Sequence, residues 1–413
     1  MITEFIPGVR SASVGLWVAV GSRDEKPSVA GAAHFLEHLL FKSTPTRSAA
    51  GTAQEIDAIG GELNAFTGKE QTCYYAHVLD EHLATAIDIV GDVVLRGQCK
   101  SEDVDIERAV VLEEIAMRDD DPEDLLADLF MTAMYGDHPI GRPVIGSTES
   151  ITGMSREQIR SFHQRRYTPD KMVLSVAGNV THAEVLAAVR ATFAGHLSEK
   201  VSPATIRVGS KVIGGRPSLE LSHRDTEQAH LLLGVRSPGR GSADRWALSV
   251  LNTALGGGLS SRLFQEIRES RGLAYSVYSS VDTFADTGAF SVYAGCSPDR
   301  LEEVVAVIEQ ILTRVAAEGI TDEELLRAKG SLRGGMVLGL EDSQSRMHRN
   351  GRGEINHGRQ MTVDQTLRKI DRVTAADTSR VARELLGRPF GAAVVGPYRS
   401  RKQLPKTLTT LVG

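Results

Sequence analysis

Residues 101–116 read SEDVDIERAVVLEEIA, and 220 positions later residues 321–336 read TDEELLRAKGSLRGGM. A second pair, YAHVLDEHL at 75–83 and YAGCSPDRL at 293–301, stands at an offset of 218. Both pairs flank a similar run of apolar residues at helical spacing. Any two strand–helix–helix segments share some likeness, but two pairs at nearly one offset point to a duplicated domain.

Outward from these anchors, the first half predicts a strand at about 13–21 and a helix over 31–41. A helix near 51–59 leads into strands near 61–67 and 72–79. Helices follow near 82–96, 101–118, 122–135 and 155–165, then a strand near 171–178 and a helix near 182–193. Strands interrupted by long helices define a mixed α/β (α+β) class. A chain of 413 residues exceeds one ordinary core, so two domains are expected. Chain breakers crowd the middle of the sequence: Pro203, Gly209, Gly214, Gly215 and Pro217. The expected division is a first domain at 1–200, a linker at 201–218 and a second domain at 219–413.

Composition narrows the function. With 41% apolar and 24% charged residues the chain is that of a soluble globular protein. Its net charge of -6 comes without a Lys/Arg block, so neither nucleic acid nor a membrane surface is an expected partner. No apolar run reaches the 18 or so residues that span a bilayer, and residues 11–21 are too short and strand-like for a signal peptide. Three scattered cysteines, Cys73, Cys99 and Cys296, supply neither a disulfide framework nor a thiolate zinc site. A reducing cytoplasm is the expected location.

The chemistry lies in AGAAHFLEHLLF, residues 30–41. His34 and His38, four apart on a helix, project from one face and can reach one metal ion. Glu37 lies on nearly the same face, placed to take a proton from a water activated there. The order His-x-x-Glu-His inverts the commoner zinc motif and is itself a recognised signature. A surface helix with two solvated histidines is the bland alternative, but Phe35, Leu36, Leu39 and Leu40 would bury the helix around them. Two histidines leave a catalytic zinc one protein ligand short. The acidic helix at 101–118 offers Glu102, Glu107, Glu113 and Glu114. Glu107 and Glu114 share a face two turns apart, and geometry alone does not choose between them. His77, in a strand, and His138, in a turn, take structural roles.

With these residues the chain resembles the pitrilysin family of zinc peptidases, in its mitochondrial-processing-peptidase-like branch and in a bacterial form. The likeness runs through GAAHFLEHLLFKST (31–44), GGELNAFTGKEQTCYYAHV (60–78), ERAVVLEEIAMRDDDPED (107–124), HPIGRPVIG (138–146) and LGGGLSSRLFQEIRESRGLAYSVYSS (255–280). It implies two homologous mixed α/β domains of the processing-peptidase and LuxS-like metallohydrolase fold, with one zinc ion per chain. It also implies a third ligand about 76 residues past the second histidine, which is Glu114, and an accessory carboxylate at Glu107. An arginine and a tyrosine seven apart in the second domain, here Arg268 and Tyr275, would contact substrate. The strand Asn64-Ala65-Phe66-Thr67 would pair with an extended or unfolded peptide through its main chain. Gly256-Gly257-Gly258 would be a glycine-rich loop without the ending of a phosphate loop.

The same resemblance makes the repeat intelligible. At the 220 offset Glu114 falls opposite Gly334 and Glu107 opposite Arg327, and residues 244–255 (DRWALSVLNTAL) hold no histidine. One half carries the metal site and the other lacks it. Family members carry a further stretch and strand ahead of this start, so either the start lies upstream or the first sheet has lost part of a strand. The expectation is a homodimeric zinc metalloendopeptidase. The rival is a non-catalytic relative serving as a peptide-binding or structural subunit, and such relatives lose a ligand or the base, all of which this chain keeps.

Overall fold

A computed structural model describes residues 1–196, 206–209 and 213–413. They form two compact units. The first holds a five-stranded sheet of β1 (Ile2–Phe5), β2 (Ser11–Val18), β3 (Glu62–Thr67), β4 (Thr72–Leu79) and β5 (Met172–Gly178), in the order β1-β5-β2-β4-β3. The second holds β6 (Leu219–His223), β7 (Ala229–Pro238), β8 (Ala274–Thr283), β9 (Thr287–Cys296) and β10 (Phe390–Gly396), in the order β6-β10-β7-β9-β8. Each sheet has one parallel pair at the same edge, β1 with β5 and β6 with β10, and the other pairs are antiparallel. The duplication read from sequence is thus a duplication of topology.

The elements fall close to their expected bounds. Helices cover Ala32–Leu40, Ala49–Ala58, Leu83–Arg96, Ser101–Asp120, Pro122–Tyr135, Arg156–Arg166 and His182–Thr192. The first long strand ends at Val18, earlier than expected, because the chain turns at Gly21 against the backbone of Gly68 and Lys69. Residues 2–5, at an edge, supply a strand that hydrophobic patterning did not single out. Among the described residues no helix is long and apolar enough to cross a membrane.

The units do not follow a contiguous split at residues 200–218. The first is Met1–Ala116, Arg142–Arg207 and Leu338–Met361; the second is Met117–Gly141, Val208–Val337 and Thr362–Gly413. Of the expected linker, residues 201–205 and 210–212 lie outside the described residues. The physical reason for the discontinuity is the second face of each sheet. Helices Ala32–Leu40 and Leu83–Arg96 cover one face of the first sheet, burying Leu16, Leu36, Ile87 and Val90. The other face also carries apolar side chains, Trp17, Cys73 and Val173, and helix Ser343–His357 covers it with Met347 and Ile355. In the second unit helix Pro122–Tyr135 does the same, packing Phe130 and Met134 against Ala289, Tyr293 and Ala393. Each half of the sequence therefore lends the other a helix. Two covered faces explain why β2 and β9 are buried along nearly their whole lengths.

Polar contacts fix the lent helix Ser343–His357. Ser175 donates to the Met347 carbonyl at 2.8 Å, and Glu4 accepts from Arg346 and Asn350, each at 2.6 Å. Its approach needs two residues without side chains: a Cβ on Gly351 would overlap the Trp17 indole, and one on Gly15 the Met347 sulfur. Gly351→Ala should therefore destabilise the protein by about 1–3 kcal/mol through overpacking, despite the better helix propensity of alanine. Gly334, inside helix Asp322–Leu338, has open space around its Cα. Gly334→Ala should be neutral or stabilise by up to about 1 kcal/mol. Urea unfolding of both variants checks this; equal midpoints would refute the close-approach argument.

Burial lowers the pKa of His163, His230 and His348 from the ordinary value of 6.5. The native state keeps these rings neutral where the unfolded chain protonates, so unfolding takes up protons as pH drops through 6.5. The buried Glu25 carboxyl, raised to about 8, acts in the opposite direction, and the three rings together should outweigh it, so that stability is lower at pH 5 than at pH 7.5 with chelator present. A urea midpoint that stays level or rises at pH 5 would contradict this.

Candidate metal centre

Helix Ala32–Leu40 is oriented by its apolar residues. Phe35, Leu36, Leu39 and Leu40 are fully buried, which turns His34, Glu37 and His38 toward the opposite side. Its start is held from below by Glu25, whose buried carboxylate accepts from the backbone N–H of Gly31 and Ala33, both at 2.7 Å. Gly31 sits at φ +90° against Ile145 and Gly146, where a side chain would be both strained and blocked. Desolvation raises the Glu25 pKa to about 8 against the pull of those two hydrogen bonds.

The acidic helix Ser101–Asp120 meets this face. One oxygen of Glu114, Oε2, lies 3.5 Å from His34 Nε2 and 3.5 Å from His38 Nε2. His34, His38 and Glu114 are the one group of three potential ligands that converges among the described residues, with donor atoms all within 4.8 Å of one another. Two imidazole nitrogens and a carboxylate oxygen form a set typical of catalytic zinc, which binds each at about 2.0–2.2 Å. Tetrahedral ligands at that range stand roughly 3.4 Å apart, close to the separations of both histidines from Glu114. Burial first, and the neighbouring His38 second, lower the His34 pKa to about 4, so its ring is neutral and keeps a lone pair.

Glu107, two turns before Glu114, faces His38 from behind. Its Oε2 accepts from His38 Nδ1 at 3.1 Å, and its Oε1 accepts from Lys42 Nζ at 2.7 Å. A proton held on Nδ1 leaves Nε2 as the free acceptor, the tautomer a metal requires. Burial raises the Glu107 pKa, but Lys42 and His38 outweigh it and keep the carboxylate ionised. His34 Nδ1 has no such support: it is buried without a hydrogen-bond partner among the described residues.

Glu37 points to the cleft beside the histidines and accepts at Oε2 from the hydroxyl of Thr67. Desolvation raises its pKa, with the Thr67 hydrogen bond opposing. The cleft, about 820 Å3, is bounded by helices Ala32–Leu40 and Ala49–Ala58 and by β3, with Phe41, Ile56 and Leu63 as apolar lining. In β3, Asn64 is exposed and Ala65 half-buried, and the strand is the edge of its sheet, so its outer main-chain groups have no strand partner. Phe66 turns to the opposite face and packs edge-on against Trp17, 5.5 Å between centroids.

Arg268 and Tyr275 lie in the second unit. The Arg268 guanidinium stands over the rings of Phe264, at 4.8 Å, and Tyr275, at 5.4 Å, and Tyr275 is 78% exposed. His77 bonds Ser13 at 2.8 Å and His138 accepts from the Ile140 backbone at 3.2 Å; neither belongs to the convergent group. Thr67, Lys42 and Glu25 were not singled out by sequence, since each acts through a partner on another element or loop.

Fold and site together define a duplicated α/β protein with an inverted His-x-x-Glu-His centre in one of its two units. The chain belongs to peptidase family M16. Residues 1–148 match the family described as Insulinase (Peptidase family M16), and residues 153–332 match the Peptidase M16 inactive domain. A protein of Mycobacterium tuberculosis named as an uncharacterized zinc protease is 61% identical over 413 residues, covering 100% of this chain and 94% of the relative. One of the same description from Bacillus subtilis is 38% identical over 397 residues, covering 96% of each. Among solved structures, a protease from Helicobacter pylori superposes with a TM-score of 0.86 at 23% identity over 96% of each chain. A peptidase M16 inactive domain structure from Pseudomonas fluorescens gives 0.87 at 20% identity, again over 96% of each. These two bear on fold alone.

Proposed function

We propose that this chain is a zinc-dependent endopeptidase that hydrolyses peptide bonds in extended or unfolded peptides. The observation that carries the reading is the convergence of His34, His38 and Glu114 on one point, with the Glu37 carboxylate on the same helix. The zinc protease names borne by relatives at 61% and 38% identity support it.

His34 and His38 would hold one zinc ion through Nε2 and Glu114 through a carboxylate oxygen, with Glu107 fixing the His38 ring. Bound there, zinc supplies Lewis acidity toward water and the scissile carbonyl. Glu37 accepts the proton of the attacking water, and its raised pKa brings it nearer to the working range of a general base. Thr67 holds Oε2, which leaves Oε1 to take that proton and pass it to the leaving amine nitrogen. The outer edge of β3 at Asn64, Ala65 and Phe66, which no described strand covers, takes an extended substrate as an added strand once the Ala65 N–H leaves Asn64 Oδ1, and this selects for unfolded chain over sequence. Arg268 and Tyr275 are assigned to substrate contact from the second unit.

The test is digestion of an unstructured peptide library with zinc-loaded protein, read by mass spectrometry. Internal cuts that vanish on chelation and return with zinc are expected. A fully zinc-loaded protein that cuts nothing would leave a binding or structural subunit as the better reading.

A further inference from the structure

The first unit holds a second cavity, of about 510 Å3, that shares no lining residue with the cleft beside His38. Its walls come from the turn between helices Leu83–Arg96 and Ser101–Asp120, and from helix Arg156–Arg166 with the residues after it. Among the described residues four cationic side chains line it, Arg96, Lys100, Arg156 and Arg160, and none of the described lining residues carries a carboxylate. In a chain of net charge -6 that is a local inversion of sign.

Part of this charge is already engaged. Arg96 donates to the fully buried Asp92 at 2.6 Å and is neutralised there. Arg156 gives Nε to the Cys99 carbonyl at 2.7 Å, while its Nη1 stands 3.9 Å from the exposed Glu157, a weak pairing. The side chains of Lys100 and Arg160 have neither a hydrogen bond nor an ion pair with any described residue. Among the described residues two charges without a partner and a partly engaged third therefore line one concavity.

The turn is also held in an unusual backbone. Cys99 is the one non-glycine residue with positive φ among those described, at +47°, a conformation that costs on the order of 1 kcal/mol or more. The turn brings Gln98 and Lys100, on either side of Cys99, to the same cavity wall. Arg156 and Arg160, one helical turn apart, share a face of theirs. Leu95, Tyr167 and Pro169 add apolar surface.

We propose that this cavity binds a small phosphate-bearing molecule. Guanidinium forks one turn apart match the paired oxygens of a phosphate, and Lys100 adds a compact charge from the other wall. The volume exceeds what a bare phosphate fills and lies within the range of small-molecule sites, with the apolar wall available to an organic portion. The site is separate from the proposed peptidase centre and stands or falls independently of it.

The experiment is calorimetric titration of the full-length, zinc-loaded protein with inorganic phosphate and with pyrophosphate, at constant ionic strength set with sodium chloride. Phosphate can also reach the His34–His38 site, so Glu114→Gln is titrated in parallel. The expected result is saturable binding that Glu114→Gln leaves in place and that Lys100→Gln/Arg160→Gln weakens at least tenfold. Both replaced side chains are exposed and pair with no described residue, so the double variant should fold as the parent, as circular dichroism checks. No saturable binding above the chloride background would overturn the proposal. So would binding that Glu114→Gln abolishes and the double glutamine variant keeps, or retention of a hexaglutamate peptide in place of either phosphate.

Discussion

Replacing Glu37 with glutamine should leave zinc content unchanged and lower peptide cleavage by roughly 10²–10⁴-fold, the usual contribution of a positioned general base. Glutamine keeps the shape and still accepts the Thr67 hydrogen bond through its amide oxygen, but it cannot take up a proton. The metal would be held by His34, His38 and Glu114, none of which this change touches. The loss should therefore appear in kcat with KM close to the parent value. Zinc by atomic absorption and cleavage of one defined peptide are the two measurements. Unchanged turnover in Glu37→Gln would remove Glu37 from the chemistry, whatever the metal does.

Glu114→Gln should have the opposite signature. Its Oε2 lies 3.5 Å from both imidazole Nε2 atoms, so the change deletes the only anionic donor among the three. Loss of an outer partner of a ligand costs about 10–100-fold in metal affinity, and loss of a ligand should cost at least as much. Competition with a chelator of known strength measures it, and activity should return in part at high free zinc. Glu107→Gln provides the graded comparison, because Glu107 bonds His38 and Lys42 at 3.1 and 2.7 Å. Equal zinc affinity in Glu114→Gln and the parent would remove Glu114 from the ligand set.

The site was legible in sequence wherever its geometry is local. His34, Glu37 and His38 fall on one helix, so helical spacing alone puts them together. Glu114 was not reachable that way: spacing left it level with Glu107, and the resemblance chose it. The structure separates the two by what each faces, one oxygen of Glu114 between both Nε2 atoms and Glu107 behind His38. Thr67 shows in the sequence only as part of a strand, because its use depends on β3 lying against the helix that carries Glu37. The strand Ile2–Phe5 is short, at an edge, and parallel to a partner some 170 residues away, so no local pattern announces it. The exchange of helices was hidden for a related reason. An amphipathic stretch records that one face is buried but not which sheet covers it.

That exchange sets a timetable for synthesis. β5, the last strand of the first sheet to be made, is complete at Gly178, but the helix that covers Trp17 and Val173 ends at His357. At roughly 5–20 residues per second a ribosome needs about 10–40 s to bridge that interval. For that time the nascent sheet presents an apolar face with no cover, and the unit that holds His34, His38 and Glu114 lacks one of its helices. The first unit to begin is thus finished only after residues 208–337 of the second have been translated.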